Sequence, residues 1–447
     1  KIADEYCKKI YITDDNPRNE NPNQIRNDLL KCVKKSEVFN IGNRKLAIKK
    51  AIQNAKAAEI ILVAGKGHEE QQIYKNKILN ISDKKIIKKF KPKNKTINKK
   101  RQNFIHNRLI LGKVLGKTKS VNFNGLSIDT RTLKKDNLFL GIRGKKYDGN
   151  NLIDKALKKG AGCVISTLKL KKKNRKIIKI DNSISFLNQF AKLKRENTYA
   201  KIIAITGSVG KTSLKNLIKD LLNNFGKTHH SPKSFNNHFG VPISLSNLSF
   251  EDKFGVFEVG MSRAGEIKNL TKLIKPHIGV ITNIGEAHLE NFKDIYGIAE
   301  AKSEIIENIE PGGTVILNRD DKFFNYLSKK VKSFNLKVSS FGRHRKSDVQ
   351  LKKITKKGSM LRIFVTIDNQ TIDFEIKDLN IYNILATIAV FKELKIDFLK
   401  IKNKFKDQGL PDGRGKKYFI KRYNKKFRLI DDSYNANPLS VKNAINR

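Results

Sequence analysis

The sequence predicts a multidomain α/β protein, and three observations lead to this fold class. Short apolar runs at residues 60–63 and 202–205 have the length and β-branched content of buried strands. Residues 44–57 have the i, i+3, i+4, i+7 apolar spacing of an amphipathic helix, and such helices alternate with the strands. A length of 447 residues is enough for about three domains, each with its own core.

Changes in composition along the chain indicate five parts. Residues 91–103 contain one apolar member, which is too little to offset the entropy lost on ordering, so they are interpreted as a basic linker. A first α/β unit is expected before the linker, at residues 1–90. Three further units are expected after it, at residues 104–190, 191–408 and 409–447. The predicted strands include 10–13, 60–64, 138–142, 163–166 and 202–205, and the predicted helices include 24–33, 44–57 and 151–159.

The chain is strongly basic, with 93 Lys and Arg residues against 42 Asp and Glu residues and a formal net charge of +51. A field of this sign attracts polyanions. The excess is mostly lysine and is spread along the whole chain, without zinc-finger spacing or aromatic residues among the basic runs. No specific nucleic-acid partner is therefore predicted.

The cysteine pattern and the hydropathy favour a cytoplasmic location. Cys7, Cys32 and Cys163 are far apart and odd in number, which argues against a disulfide framework and for reduced thiols. No apolar run approaches the roughly 18 residues that a membrane helix needs. The oligomeric state is not indicated by the sequence.

A phosphate-binding loop is indicated directly after the predicted strand 202–205, at the start of a helix with one apolar face. Glycines let main-chain N–H groups approach phosphate oxygens, and the helix N-terminus adds positive potential. Lys211 is expected to neutralise the β- and γ-phosphates, and the Thr212 hydroxyl to bind Mg²⁺. Because Ile205 replaces the first glycine of the longer pattern, a plain glycine turn remains the alternative. The candidate nucleotide-binding residues are Gly207, Ser208, Val209, Gly210, Lys211, Thr212 and Ser213.

Two polar residues downstream of the loop suggest a metal site. Glu258 stands near the end of an apolar run at 255–260, where a carboxylate commonly holds Mg²⁺ beside a nucleotide. His288 follows a second apolar run that starts at residue 278. Each alone is as well explained by a surface charge or a loop histidine. Their order behind a phosphate loop favours a metal site.

From about residue 104 onward, the chain contains a series of ordered motifs. They are Ser127-Ile128-Asp129-Thr130-Arg131, Tyr147-Asp148-Gly149, the phosphate loop, Asn236-Asn237, Gly240-Val241-Pro242, Glu258-Val259-Gly260, Asn283-Ile284, His288, Ala301-Lys302-Ser303-Glu304, Asn383, Gly413-Arg414 and Asp431-Asp432-Ser433-Tyr434-Asn435-Ala436-Asn437-Pro438. This series resembles the Mur ligases, which add amino acids to a peptidoglycan precursor. Its final motif is typical of the branch that adds D-Ala-D-Ala to UDP-MurNAc-tripeptide.

This resemblance implies a central ATP-binding domain with a parallel sheet, flanked by a UDP-binding domain and an incomplete Rossmann-like C-terminal domain. It implies ATP and Mg²⁺, with an acyl phosphate formed from the substrate carboxylate. The implied catalytic residues are Lys211, Glu258, His288 and Lys302, and the implied Mg²⁺ ligands are Thr212, Glu258, His288 and, if carbamylated, Lys302. Asn383, Arg414 and Asp432 would contact the nucleotide, and Ser127, Asp129, Arg131, Asn236 and Asn237 would contact the UDP-linked substrate.

Residues 4–90 contain two further motifs, Asp15-Asn16-Pro17-Arg18 and Gly65-Lys66-Gly67-His68-Glu69. With these motifs, this part of the chain resembles a different branch of the family, which adds the third amino acid of the peptide. The resemblance implies that Asn16, Arg18, Gly65 and Glu69 hold meso-diaminopimelate, which the tripeptide is then expected to contain. A plain turn and a flexible glycine loop are the alternative for either motif alone.

Several interpretations remain open. The junction of the two branches is explained either by a natural fusion or by an error that joined neighbouring genes. The last domain is expected to be incomplete and the chain weakly active. A folylpolyglutamate synthase-like ligase and a non-catalytic, basic nucleic-acid-binding protein are the competing functions. A folylpolyglutamate synthase-like function would leave the motifs at residues 127–149 without a substrate to bind.

Overall fold

The computed structural model describes the chain in two compact units, Lys1–Lys99 and Lys100–Arg447. The described residues are 2–55, 60–66, 69–89, 99–117, 121–144, 147–168, 174–287, 289–358, 360–377, 379–409, 413–422, 425–433 and 441.

The first unit contains short strands and helices in alternation. Its elements are α1 (Ile2–Tyr6), β1 (Lys9–Ile12), α2 (Pro22–Lys31), β2 (Glu37–Asn40), α3 (Arg44–Asn54), β3 (Gln71–Tyr74), β4 (Lys77–Asn80) and α4 (Asp83–Lys89). β1 and β2 pair in parallel, and β3 and β4 form an antiparallel hairpin. Asn21 and Asn43 cap α2 and α3 with their side-chain oxygens, which explains where these helices begin. A buried ion pair between Arg44 and Asp83 joins α3 to α4 at 2.7 Å.

The strand predicted at residues 60–64 is wrong. These residues have no regular secondary structure, and the side chains of Ile60 and Leu62 are 96% and 82% exposed. An apolar run becomes a strand only where a neighbouring strand takes up its main-chain hydrogen bonds. In the described part of this unit the two sheets have two strands each, and neither includes residues 60–64.

Helix α5 (Lys99–Leu115) includes residues 99–103, the last part of the predicted linker. The amide of Asn103 donates to Asn124 O at 2.9 Å, and that of Asn107 donates to Phe123 O at 2.9 Å. These long-range contacts anchor the polar start of the helix, which composition alone does not reveal. Residues 91–98 lie outside the described part of the chain.

The second unit begins with a four-stranded parallel sheet. Its elements are α5, β5 (Leu126–Ser127), β6 (Leu138–Leu140), α6 (Ile153–Lys158), β7 (Cys163–Ser166), β8 (Ile177–Lys179) and α7 (Ser183–Glu196). The strand order is β5-β6-β7-β8, and β5 is an edge strand. The strands predicted at 138–142 and 163–166 are confirmed, and all of β6 and β7 is buried.

A nine-stranded sheet follows. Its strands are β9 (Lys201–Thr206), β10 (Thr228–His230), β11 (Phe254–Glu258), β12 (Ile278–Ile281), β13 (Thr314–Asn318), β14 (Lys337–Gly342), β15 (Val349–Lys357), β16 (Met360–Ile367) and β17 (Gln370–Ile376). Its helices are α8 (Lys211–Leu222), α9 (Gly240–Ser246), α10 (Glu266–Ile274), α11 (Ile295–Ser303), α12 (Phe324–Ser333) and α13 (Ile381–Glu393).

The strand order of this sheet is β10-β11-β9-β12-β13-β14-β15-β16-β17. Pairing is parallel from β10 to β15, as predicted, whereas β15, β16 and β17 form an antiparallel extension that the sequence analysis did not predict. Alternate residues of each parallel strand face opposite sides. Ile203 and Ile205 of β9 therefore pack with α8 and α13, while Ile202 and Ala204 pack with α9, α10 and α11. Helices cover both faces, which is the arrangement of an α/β domain.

Parallel register brings three strand ends to one edge of the sheet. Glu258 at the end of β11 lies opposite Ile205 of β9, and Ile281 at the end of β12 lies opposite Thr206. Loops that follow the carboxyl ends of parallel strands form the usual ligand crevice of such sheets. An antiparallel hairpin, β18 (Lys416–Arg422) and β19 (Lys425–Asp431), follows the sheet in sequence. Among the described helices, none is long and apolar enough to cross a membrane.

Candidate active site

A cleft of about 530 Å³ opens at this edge of the nine-stranded sheet. The phosphate loop forms one wall, and Glu258, Lys302 and Arg414 come to it from three other segments. The lining residues are Ser208, Val209, Gly210, Lys211, Thr212, Ser234, Asn236, Asn237, His238, Glu258, Gly260, Met261, Ser262, Glu266, Asn269, Leu270, Ala287, Lys302 and Arg414.

The loop itself has the conformation that its glycines permit. Gly207 and Gly210 have φ values of +141° and +90°, and Gly210 immediately precedes α8. A Cβ on Gly207 would lie 2.0 Å from Thr282 Oγ1, so no other residue fits there. Lys211 Nζ donates to Gly207 O at 2.7 Å, which curls the lysine back over the loop. The loop therefore has a compact shape.

Residues at the end of β12 hold the loop in place, a role that the sequence analysis did not assign. Asn283 O accepts from Ser208 N at 3.0 Å, and Asn283 Oδ1 accepts from Val209 N at 3.0 Å. Asn283 Nδ2 and Thr282 Oγ1 both donate to Val209 O, at 3.1 and 2.7 Å. Two signals in the sequence point to this segment: Asn283-Ile284 is one of the ordered motifs, and the polar residues follow an apolar run that precedes the predicted His288.

Glu258 is buried at the centre of a polar network, with 1% of its surface exposed. Its Oε2 accepts from Thr212 Oγ1 at 2.9 Å and from Lys215 Nζ at 3.2 Å, while its Oε1 accepts from Asn236 Nδ2 at 2.9 Å. Burial lowers the pKa of Lys215, and the carboxylate of Glu258 opposes that effect. The structure thus brings together Glu258, Thr212 and Asn236, and it adds Lys215, which the sequence did not indicate.

Lys302 lies at the end of α11 and lines the cleft, although only 3% of its surface is exposed. Within the described residues, no hydrogen bond or ion pair involves its side chain. Burial, followed by the nearby charge of Lys211, lowers the pKa of Lys302 well below its usual value. The structure therefore places a buried amine at the cleft. His288, the fourth predicted catalytic residue, lies outside the described residues.

The three other residues predicted to contact the nucleotide, Asn383, Arg414 and Asp432, differ in their position relative to the phosphate loop. Arg414 Nη2 donates to Thr212 Oγ1 at 3.0 Å, so this guanidinium reaches the phosphate loop. Asn383 Oδ1 lies 3.0 Å from the position of a Cβ on Gly210, and with Ser213 it lines a small hollow of about 20 Å³. Asp432 follows β19 and is not among the residues that line either cavity. Residues 434–438 of its motif lie outside the described part.

The predicted substrate residues form two groups. Asn236 and Asn237 line the cleft, and Asn237 Oδ1 also accepts from Gly240 N at 2.9 Å, at the start of α9. Ser127 is the last residue of β5, Asp129 and Arg131 lie in the turn that follows, and none of the three is among the cleft-lining residues. Ser127 Oγ donates to Asp129 O at 3.0 Å, and the Asp129 carboxylate pairs with Arg131 at 2.8 Å, which lowers the pKa of Asp129.

The two motifs of the first unit also meet in space. Asn16 Nδ2 donates to Glu69 Oε2 at 2.7 Å, and Asn16 Oδ1 accepts from Ile73 N at 3.0 Å. Arg18 has a φ of +51°, and its main chain forms an isolated β-bridge with that of Tyr74. Gly65 has a φ of +111°. A Cβ on Gly65 would lie 3.0 Å from Asp15 Oδ2 of the other motif. Gly67 and His68 lie outside the described residues.

Comparison with known proteins agrees with this arrangement. Residues 205–391 match the Mur ligase middle domain, residues 122–195 the Mur ligase family catalytic domain, and residues 1–67 the Mur ligase glutamate ligase domain. The UDP-N-acetylmuramoyl-tripeptide--D-alanyl-D-alanine ligase of Rickettsia prowazekii is 35% identical over 335 residues, which are 73% of this chain and 73% of that protein. The chain belongs to the Mur ligase family.

Other members of the Mur ligase family show the same likeness. The enzyme of the same name from Bacillus subtilis is 28% identical, over 72% of this chain and 69% of its own length. The crystal structure of MurF from Acinetobacter baumannii superposes with a TM-score of 0.65 at 27% identity, covering 75% of this chain and 74% of that one. The MurF ligase of Thermotoga maritima, solved in complex with ADP, superposes with a TM-score of 0.61 at 26% identity, covering 72% and 74%.

Proposed function

We propose that this chain is an ATP-dependent ligase that joins D-Ala-D-Ala to UDP-MurNAc-tripeptide in the synthesis of the peptidoglycan precursor. The observation that carries the proposal is the cleft, where the phosphate loop, Glu258, Lys302 and Arg414 meet on the fold of relatives that bear this name. Its substrates are ATP, UDP-MurNAc-tripeptide and D-Ala-D-Ala, and the location proposed for the reaction is the cytoplasm.

The reaction has two chemical steps. A terminal carboxylate oxygen of the tripeptide attacks the γ-phosphorus of ATP, ADP leaves, and an acyl phosphate forms. The amine of D-Ala-D-Ala then attacks the acyl carbon, inorganic phosphate leaves, and the nitrogen loses a proton. Phosphoryl transfer spreads negative charge over the transferred group, so fixed positive charge beside it lowers the barrier. Lys211 and Arg414 would supply that charge, since both line the cleft and Arg414 is hydrogen-bonded to Thr212 of the loop.

The residues present fit a magnesium ion at this cleft. Thr212 Oγ1 and Glu258 Oε2 are 2.9 Å apart on its wall, and Mg²⁺ prefers one or two such oxygens completed by water and phosphate. His288 is the third ligand implied by the family. When bound, the ion would neutralise charge on the phosphate oxygens. Lys215 and Asn236 hold the Glu258 carboxylate, so its orientation is set by the protein itself.

Lys302 is the proposed site of carbamylation. Its amine is buried at the cleft and has no anionic partner among the described residues. It lies close enough to Lys211 for the two positive charges to repel each other. Addition of CO₂ to the neutral amine forms an N–C bond and releases one proton, which turns an uncharged group into an anion. From the ammonium form, two protons are released. An anion there would be attracted to Lys211 and could bind a second cation.

The experiment that tests the function is incubation of the protein with ATP, Mg²⁺, UDP-MurNAc-tripeptide and D-Ala-D-Ala. Release of ADP and of the UDP-linked pentapeptide, dependent on all four components, is expected. Lys211→Ala should remove turnover, whereas Lys192→Ala, an exposed lysine on α7, should not. Turnover that depends on glutamate and folate instead would favour the folylpolyglutamate synthase alternative. Salt-sensitive binding to RNA or DNA without ATP turnover would favour the binding-protein alternative.

A second proposal concerns the first unit, residues 1–90, which would bind meso-diaminopimelate. The hydrogen bond between Asn16 and Glu69 supports it, because it brings the two motifs together. Arg18 can take a carboxylate through two parallel hydrogen bonds, and Glu69 can accept from an ammonium. Calorimetric titration should show binding of meso-diaminopimelate that Arg18→Ala weakens at least about tenfold. L-Lysine is the matched control ligand, since it lacks the second carboxylate, and equal binding of both ligands would contradict the proposal.

A further inference from the structure

One amide side chain joins the four-stranded sheet to the nine-stranded sheet. Asn247 caps the C-terminus of α9, where its Nδ2 donates to Ile243 O at 2.8 Å. The same amide pairs with the main chain of Leu126 in β5. Its Oδ1 accepts from Leu126 N at 2.9 Å, and its Nδ2 donates to Leu126 O at 3.0 Å. Because β5 is an edge strand, Asn247 takes the place of the peptide group that a further strand would offer.

The other end of α9 reaches the cleft. Asn237 Oδ1 accepts from Gly240 N at the start of the helix, and the preceding residue Asn236 donates to Glu258. All seven residues of α9 are buried, so the helix has little freedom to tilt. At 1.5 Å per residue it is about 10 Å long. A short, buried helix thus connects the Glu258 network to the edge of β5.

The end of β5 and the turn that follows it carry the predicted substrate residues. Ser127 is the residue after Leu126, and its hydroxyl is bonded to the main chain of Asp129 in both directions, donating at 3.0 Å and accepting at 3.2 Å. Asp129 in turn binds Arg131 through its carboxylate. Ser127 is thus bonded to Asp129, and Asp129 to Arg131, so a contact that holds Leu126 also restrains these three residues.

We propose that Asn247 is a positioning residue, which sets the substrate-binding turn at residues 127–131 in a fixed relation to the nucleotide cleft. A UDP-linked substrate held at the turn can then present its distant carboxylate to the phosphoryl donor. The inference rests on the proposed function. Asparagine suits the role because it is short and carries both a donor and an acceptor, which matches the N–H and C=O of one peptide.

The contact can be disturbed from either side. A Cβ on Gly125 would lie 2.6 Å from Asn247 Oδ1, so Gly125→Ala should push the amide away without changing it. Asn247→Ala removes the amide itself. The matched control is Asn197→Ala: Asn197 caps α7 as Asn247 caps α9, with Nδ2 donating to Leu193 O at 2.8 Å, but it is not bonded to β5.

The experiment measures KM for UDP-MurNAc-tripeptide and for ATP, together with calorimetric binding of ADP alone. Loss of the two hydrogen bonds between Asn247 and the main chain of Leu126 should raise the KM for UDP-MurNAc-tripeptide about tenfold in both Asn247→Ala and Gly125→Ala. The KM for ATP and the affinity for ADP should stay within about twofold of wild type, which also shows that the cleft is folded. Asn197→Ala should leave all three values unchanged.

The outcomes separate the inference from the function on which it rests. If the wild-type protein turns over the UDP-linked substrate but both variants keep its KM, the positioning role is wrong. Equal losses for ADP and for the UDP-linked substrate would also overturn it, because they indicate general damage. If wild type does not use this substrate, calorimetric binding of UDP alone still tests the turn, and unchanged UDP affinity in both variants would refute the inference.

Discussion

Lys194 offers a direct test of how burial and charge balance in this fold. The side chain lies in α7 with 2% exposure, and its Nζ donates to Asn107 Oδ1 at 2.8 Å. Burial lowers its pKa from 10.5 to about 7, with Asp252 opposing the shift and Lys227 adding to it. His106 also faces this lysine, and burial followed by the charge of Lys194 lowers the pKa of His106 to about 4.

The sign of the pH dependence follows from these pKa values. Between about pH 7 and about pH 10.5 the unfolded chain carries a proton on Lys194 that the folded chain lacks. The free energy of unfolding therefore rises with pH across this window, and below it both states are protonated. The cost of burying Lys194 is about 4 kcal/mol at neutral pH and about 2 kcal/mol near pH 9.

Lys194→Met should remove this dependence. Relative to the variant, wild type should gain about 2 kcal/mol in the free energy of unfolding between about pH 7 and about pH 9. Urea titrations at both pH values, followed by circular dichroism because the chain has no tryptophan, measure the difference. Lys192→Met is the matched control on the same helix, where the lysine side chain is 63% exposed. A constant difference between wild type and Lys194→Met across this range would refute the reasoning.

Two further predictions concern the phosphate loop. Gly207→Ala should reduce ATP turnover by at least about a hundredfold, because the new Cβ would lie 2.0 Å from Thr282 Oγ1. The control is Gly312→Ala, which should leave turnover intact, since Gly312 also has a positive φ but a Cβ there would have no atom within 4 Å. Similar activity of both variants would contradict this prediction. Asn283→Ala removes two side-chain hydrogen bonds to Val209 and should weaken ADP binding about tenfold by calorimetry, and unchanged affinity would show that the loop keeps its shape without them.

The sequence predicted those parts of the site that depend on local order. The succession of strand, glycine turn and helix predicts that Lys211 and Thr212 lie at the carboxyl end of β9. The apolar run that ends in a carboxylate predicts the same edge of the sheet for Glu258, because neighbouring parallel strands end at one edge. Lys215 was not predicted, since one lysine among many in a helix has no signal until its partner is known. The error at residues 60–64 has the same origin: hydrophobicity predicts burial, but a strand needs a neighbour.

The attachment of the phosphate loop to the end of β12 extends the functional site beyond the residues that touch a ligand. Ser208 and Val209 are hydrogen-bonded to Asn283, which comes two residues after β12 ends. A displacement of this strand would therefore also displace the phosphate loop. Gly279 in the middle of β12 illustrates this, because a Cβ there would lie 2.8 Å from Ile309 Cδ1. Substitutions on the far side of the sheet can thus change nucleotide affinity while the cleft keeps its full set of side chains.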